Sequence, residues 1–366
     1  MTHPANKPRV LHITGCLTGG GAETILRSLC RGQRDHGLDV TIFYFYQIPG
    51  TSNALKMLRQ YGCSVHKVRG SSLFMNPVLR HLILQADIIH THLLNWELYG
   101  FILSRLFKKS WITTRYLPRI TRQRRQLINR LTLQYADAII CVSQDIKNFL
   151  ISQKSRANSR SHVVYPGLDQ VDIEFGFRKK DIRFCYSIGR NPFALIPARL
   201  VEQKGLFTLL KAIKQAQCDL KDWFFIFAGS GPLEGSLKSS AETAGISRQL
   251  IFAGYQENIF DYMRQADLVI LPSFYEGFPM ALLEALHFGK PIITSNIPAI
   301  TEWIGTAALK VPPGDVEKLA EALRGMVKIQ IQPKEIEMCR QQAAKFSVNR
   351  MTRKVNNIYQ NVLNKH

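Results

Sequence analysis

The stretch Ala266–Ser295, ADLVILPSFYEGFPMALLEALHFGKPIITS, decides the fold. After an Ala-Asp lead-in comes a short apolar run, LVIL, closed by Pro272 and Ser273, which reads as a buried strand. Gly277-Phe278-Pro279 then leads into a segment, MALLEALHF, whose apolar residues recur at helical spacing. Lys290 and Pro291 follow, and a second apolar run, IITS, ends the stretch. Strand, helix and strand in such close succession make a βαβ unit of a parallel sheet.

Working outward, the Ala-Asp lead-in recurs in ADIIHTH (Ala86–His92) and ADAIICVS (Ala136–Ser143). VLHITG (Val10–Gly15) reads as a first strand, followed by a glycine loop, a helix near Glu23–His36, and the strand LDVTIFYFY (Leu38–Tyr46). FALIPARL (Phe193–Leu200), WFFIFAG (Trp223–Gly229) and LIFAG (Leu250–Gly254) form a second series. Between the two, over 166–190, the periodicity breaks and a hinge is expected. Val348–Leu363 reads as a closing amphipathic helix. The expected division is 1–170, 171–345 and a terminal helix over 346–366. Ligands of open α/β sheets bind outside the carboxyl ends of the strands, which places His92, Ser143 and Ser273 at the functional edge.

The 366 residues suit two or three domains, and 46% hydrophobic with 20% charged residues excludes disorder. No run of about 18 uncharged apolar residues occurs, so no transmembrane helix is expected. The opening MTHPANKPRVLHITG lacks the apolar core of a leader. Seven scattered cysteines without C-x-x-C spacing argue against disulfides and zinc, and for a reducing, cytoplasmic compartment. Charge is the outlier: 48 Lys+Arg against 27 Asp+Glu gives +21. Arg105–Arg130 carries nine basic residues and no acidic one, among them Arg115, Arg119, Arg122, Arg124 and Arg125. That run suits an anionic membrane surface or a phosphorylated acceptor. A nucleic-acid-binding protein is the rival reading of the charge. The chain has no aromatic-basic RNP motif or recognition-helix signature, so no nucleic acid is expected as a partner.

Three segments carry candidate chemistry. GCLTGGGAE (Gly15–Glu23) sets glycines between a strand and a helix, where backbone can approach an anion. ARLVEQKG (Ala198–Gly205) places Arg199 and Lys204 after a strand, a pair able to neutralise a diphosphate. Glu276 precedes the helix start at Phe278, Met280 and Ala281, whose free N–H groups suit phosphate oxygens; Glu276 and Glu284 suit polyol hydroxyls.

These segments resemble glycosyltransferase family 4, the retaining transferases of the GT-B fold. Glu276 and Glu284 match its E-x7-E motif, ARLVEQKG its R-L-x-x-x-K-G segment, and FAGSGPLEGSL (Phe227–Leu237) its G-x-G-P loop. ADIIHTH, ADAIICVS and YPGLD match two strands of its N-terminal domain and its linker. The chain departs from the family at NIPAITE (Asn296–Glu302), where many members carry a glycine pair.

The resemblance implies two Rossmann-like α/β domains facing each other across a cleft. The first would bind the acceptor and the second the nucleotide sugar, with the C-terminal helix crossing back to the first. It implies transfer of a hexosyl unit from a UDP- or GDP-linked sugar to a glycan or lipid-linked acceptor, in surface polysaccharide or lipopolysaccharide synthesis. The enzyme would be peripheral on the cytoplasmic membrane face. Arg199 and Lys204 would bind the diphosphate and Glu276 the sugar hydroxyls. Gly277, Phe278, Pro279, Met280 and Ala281 would line the donor, and Glu284 would hold the ribose. Gly20 and Gly21 would approach the donor, and His92 would lie over the reacting sugar. No metal or other cofactor is implied, and no D-x-D triplet occurs in the chain. The alternative within the same fold is a sugar-nucleotide epimerase.

Overall fold

The computed structural model describes residues 8–17, 20–46, 52–68, 76–93, 96–117, 133–152, 159–170, 173–174, 180–257, 259–327 and 332–365. The chain forms two compact units, 1–167 with 346–366, and 168–345.

The first unit is a seven-stranded sheet: β1 (Arg9–Cys16), β2 (Asp39–Tyr46), β3 (Ser64–Lys67), β4 (Ile88–His92), β5 (Ser110–Arg115), β6 (Ala138–Cys141) and β7 (Ser161–Val163). Its order is β3-β2-β1-β4-β5-β6-β7, and every pairing is parallel. Helix α1 (Gly21–Asp35) follows β1, α2 (Ser52–Gln60) precedes β3, and α3 (Pro77–Gln85) precedes β4. Helix α4 (Glu97–Phe107) joins β4 to β5, and α5 (Gln144–Ser152) follows β6.

The last helix of the chain belongs to this unit and packs on α1. It buries Met351, Val355, Ile358, Tyr359 and Val362 at the three- and four-residue steps of one helix face. Gly32 permits the approach, since a Cβ there would stand 2.2 Å from Thr352 Oγ1.

The second unit is a six-stranded parallel sheet: β8 (Phe193–Ile196), β9 (Phe224–Ala228), β10 (Leu250–Gly254), β11 (Leu268–Leu271), β12 (Ile292–Ser295) and β13 (Leu309–Val311). The order is β10-β9-β8-β11-β12-β13. Its helices are α6 (Ile182–Cys185), α7 (Leu206–Gln215), α8 (Glu234–Thr243), α9 (Ile259–Gln265), α10 (Met280–His287), α11 (Pro298–Ile304), α12 (Val316–Val327) and α13 (Pro333–Ala344). The terminal helix packed on α1 is therefore α14 (Val348–Leu363).

The repeated Ala-Asp lead-in has one structural cause. Asp87 accepts the N–H of Arg9 at 2.8 Å, Asp137 that of Trp111 at 2.7 Å, and Asp267 that of Phe193 at 2.8 Å. Each carboxylate, at the foot of one strand, thus satisfies a backbone donor at the start of the strand beside it. The alanines before them, Ala86, Ala136 and Ala266, are buried.

One expectation is corrected: most of the stretch expected as a hinge, 166–190, belongs to the second unit. Residues 180–190 are held in the second unit by Lys180 N–H to Asp261, Ile182 N–H to Gln265 and the 2.7 Å pair of Arg183 with Asp267. Strand β8 stops at Ile196, since Pro197 has no N–H to continue the ladder, so Arg199 lies after the strand as expected.

Candidate active site

Strands β8 and β11 are neighbours, but β8 continues to β9 on one side and β11 to β12 on the other. The loops at their carboxyl ends therefore diverge at a topological switch point, where open α/β sheets bind ligands. ARLVEQKG follows β8, and PSFYEGFP follows β11. The two loops are stitched together: Phe274 N–H donates to Gln203 O at 2.8 Å, and Gln203 Nε2 donates to Tyr275 O at 2.8 Å. Gly205 ends the first loop with φ +63°, and a Cβ there would meet Pro272 O at 2.1 Å. Only glycine fits both the backbone and the space.

This stitching brings Lys204 and Glu276 together. Lys204 Nζ lies 2.5 Å from Glu276 Oε1, and Ser273 Oγ donates to the same oxygen at 2.7 Å. The side chains are 13% and 7% exposed. A buried carboxylate is thus matched by one cation and one hydroxyl, as desolvation requires. Arg199 sits on the same loop but is exposed. The G-x-G-P loop supports it from beneath: Cβ atoms at Gly229 and Gly231 would stand 1.9 Å from Ala198 O and 2.3 Å from Leu200 O.

Helix α10 starts beyond Pro279. Gly277, Phe278, Pro279, Met280 and Glu284 are buried, and Ala281 is half-buried. The N–H groups of Met280 and Ala281 lie in the first helical turn, before intrahelical bonding begins. The Phe278 ring stacks on Trp303 at 4.5 Å, so its side chain belongs to the core. NIPAITE, the departure from the family pattern, supplies that partner: it starts α11, which buries Ile300 and Trp303.

In the first unit, Gly20 caps α1 at the carboxyl end of β1, with Gly21 as the first helical residue. His92 ends β4 but is 1% exposed and bonded on both ring nitrogens. Its Nε2 lies 2.8 Å from His12 Nδ1, and its Nδ1 2.8 Å from Tyr116 Oη. His12 Nε2 meets Gln33 Oε1 at 2.8 Å, and Gln33 Nε2 donates to Tyr359 Oη at 3.1 Å. Tyr359 Oη lies 2.6 Å from His90 Nδ1, and His90 Nε2 lies 2.7 Å from Thr114 Oγ1.

Burial lowers His12 to about 4, against the opposing pull of Gln33. Burial first, then the neighbouring imidazoles, hold His90 and His92 well below the usual range. His12, His90 and His92 form the one cluster among the described residues whose spacing suits a metal ion, with ligand atoms within 4.8 Å of one another.

Sequence reasoning singled out His92 and missed His12, Gln33, His90, Tyr116 and Tyr359. The legible signal was H-x-H in an apolar strand beside a third histidine. Adjacent residues on parallel strands pair, and His12 is in register with His90.

Arg115 is a correction. Expected among the surface cations, it is 4% exposed, with Nε 2.9 Å from Glu97 Oε1, itself fully buried. Arg115 ends β5, an interior strand of the sheet whose six residues are all buried. Burial raises Glu97 to about 7, opposed by Arg115 and Thr113. Arg119, Arg122, Arg124 and Arg125 lie outside the described residues. Ser143 caps α5 through Ile146 N–H at 3.3 Å. All seven cysteines are free, and five are buried.

Comparison with known proteins fits this geometry. Residues 19–171 match Glycosyltransferase Family 4, and residues 178–346 match Glycosyl transferases group 1. D-rhamnosyltransferase WbpZ of Pseudomonas aeruginosa is 27% identical over 343 residues, 86% of each chain. An Escherichia coli enzyme, UDP-Gal:alpha-D-GlcNAc-diphosphoundecaprenol alpha-1,3-galactosyltransferase, is 25% identical over 224 residues, 58% of each chain. The structure of Anabaena HepE in complex with UDP and glucose superposes with a TM-score of 0.81 at 19% identity, covering 96% of this chain and 99% of that one, a likeness of fold. With both units matched and a charged pair set at the switch point of the second, the chain belongs to the GT-B glycosyltransferases of family 4.

Proposed function

We propose that the chain is a retaining, metal-independent transferase. It moves a hexosyl unit from a UDP- or GDP-linked sugar to a glycan or lipid-linked acceptor, in the assembly of surface polysaccharide or lipopolysaccharide. The carrying observation is the Lys204–Glu276 pair at the carboxyl ends of β8 and β11. Lys204, the exposed Arg199 and the first-turn amides of α10 supply positive potential for a departing diphosphate. Glu276, already held by a cation and a hydroxyl, is oriented to accept hydrogen bonds from sugar hydroxyls, and Glu284 would serve the ribose.

In this reading the bond from the sugar's anomeric carbon to the phosphate oxygen breaks, and a bond to the acceptor oxygen forms on the same face. The acceptor's proton passes to the departing phosphate. The name of WbpZ supports transfer of a hexosyl unit, and that of the Escherichia coli enzyme supports a lipid-diphosphate acceptor class.

The acceptor's membrane would be met by the first unit. Leu98, Ile102 and Leu106 are exposed at four-residue intervals on α4, and Arg105 and Lys108 beside them are exposed too. Apolar residues along one helix face flanked by cations suit an anionic lipid surface. No described helix is long and apolar enough to cross a membrane.

The test is product analysis by NMR with UDP- and GDP-sugars, with and without EDTA. An axial product from an axial donor at an unchanged rate supports the reading. An inverted anomer, or a strict need for Mg²⁺, contradicts it.

A further inference from the structure

Strand β1 stands between β2 and β4 in the first sheet, and near its carboxyl end it carries Gly15. The missing side chain lets Trp96, the N-cap of α4 beyond β4, lie across β1 and stack on Phe45 of β2 at 3.8 Å and 15°. A Cβ on Gly15 would stand 2.6 Å from Trp96 Nε1 and 3.0 Å from Tyr46 Oη. Two polar atoms thus converge on one point of the strand between them. Tyr99 adds a further ring, 5.2 Å from Trp96 and 5.6 Å from Phe45.

These rings are not sealed in a core. Tyr46 is 50% exposed, and Phe45, Trp96 and Tyr99 are half-buried. The buried indoles of Trp111 and Trp303 give their protons to Thr91 Oγ1 at 2.9 Å and Ala299 O at 2.8 Å. The Trp96 N–H has no acceptor among the described residues and, unlike Glu97 Oε2, is not cut off from solvent. It is a donor left open to a ligand.

A carboxylate stands at the same edge. Parallel register sets Cys16 beside Tyr46, and Cys16 Sγ donates to Glu23 Oε1 at 3.3 Å. Burial first, then the contact with Cys16, raise the Tyr46 hydroxyl, so it stays a phenol at neutral pH. Glu23 is half-buried in the first turn of α1 and keeps lone pairs for further donors.

An exposed aromatic ring, an open N–H donor and a carboxylate acceptor select a ligand with an apolar face and a rim of hydroxyls. A pyranose has both. A phosphate would be repelled by Glu23, and an isoprenoid chain would desolvate Glu23 and the indole N–H without pairing them.

We propose that Tyr46, Trp96 and Glu23 form a pyranose subsite for the acceptor. The Tyr46 ring takes the C–H face of the sugar, the Trp96 N–H donates to one hydroxyl, and Glu23 accepts from another. The inference rests on the transferase reading for naming that sugar the acceptor, and it makes the recognised unit of the acceptor a sugar rather than its lipid.

Saturation-transfer NMR on the whole protein, without nucleotide sugar, tests it with the methyl pyranosides of glucose, galactose, mannose and N-acetylglucosamine. At least one should bind wild type, with transfer strongest to the C–H protons of one ring face. Trp96→Phe, which keeps the stacked ring and deletes the N–H, should weaken that binding about three- to tenfold, and Glu23→Gln about tenfold, the worth of a neutral and a charged hydrogen bond. Tyr46→Ala, at an exposed position, should abolish the transfer without changing the unfolding temperature by more than a few degrees.

Calorimetric affinity for the nucleotide sugar should stay unchanged in all three variants. No pyranoside bound by wild type, binding that Glu23→Gln and Tyr46→Ala leave intact, or a loss of nucleotide-sugar affinity in Trp96→Phe would each overturn the subsite. A wild type that binds a pyranoside through these residues but binds no nucleotide sugar keeps the sugar site and loses the transferase reading.

Discussion

Lys204 Nζ and Glu276 Oε1 lie 2.5 Å apart although 72 residues separate them in the chain. The two loops that carry them are joined by the backbone bond from Phe274 to Gln203 and by the absent Cβ of Gly205. The pair is thus a product of sheet topology: strands β8 and β11 are adjacent and end at the same edge.

Removing either partner leaves a buried charge unmatched, at a cost of about 3–5 kcal/mol. Lys204→Ala and Glu276→Ala should each lower the unfolding temperature and cut transfer by about 100-fold or more. The double variant Lys204→Met, Glu276→Leu should recover much of the stability but none of the activity. Recovery of both would make the pair a packing device.

Gly229→Ala places a methyl where Ala198 O already lies 1.9 Å away. It should displace the loop bearing Arg199, destabilise the second unit by about 1–3 kcal/mol and weaken nucleotide-sugar binding. Denaturant unfolding and calorimetric titration check this. Gly235→Ala, in α8 with nothing within 4 Å, should leave binding unchanged and raise stability by up to about 1 kcal/mol.

Acid should weaken the first unit. A histidine of ordinary basicity near 6.5 when unfolded but about 4 when folded lets the unfolded state bind a proton that the native state does not. Its contribution is complete above pH 6.5 and is lost as pH falls toward 4, by about 3 kcal/mol for His12 at most. Glu97, raised to about 7, acts in the opposite sense, losing stability as pH rises from 4.5 to 7. Unfolding temperature against pH should therefore fall on the acid side for wild type and less steeply for His12→Asn. Identical slopes contradict the buried neutral histidine.

Vesicle binding separates the two kinds of cation. Charge reversal at Lys108 together with Leu106→Gln should weaken cosedimentation with anionic vesicles, and high salt should abolish it. Arg115→Gln should unsettle Glu97 and lower stability while leaving cosedimentation unchanged. Equal losses from both would place Arg115 at the surface.

Much of the second unit was legible in the sequence. Strand, loop and helix in Ala266–Ser295 are local signals, and Glu276 declared itself by its place before a helix. Its partnership with Lys204 was not legible, because a contact between distant loops is set by strand order, which composition does not encode. The same limit hid Tyr359, which reaches His90 across 269 residues only once α14 docks on α1. Arg115 misled for a different reason: a run of cations reads as surface, but β5 runs through the sheet and takes Arg115 inward to Glu97.

Calorimetric titration of UDP- and GDP-sugars into wild type and Lys204→Ala tests whether the Lys204–Glu276 pair holds the donor. One nucleotide sugar should bind wild type with a 1:1 stoichiometry, and Lys204→Ala should lose at least about tenfold in affinity, as removal of a charge-assisted contact produces. Binding of equal strength to both proteins would contradict it.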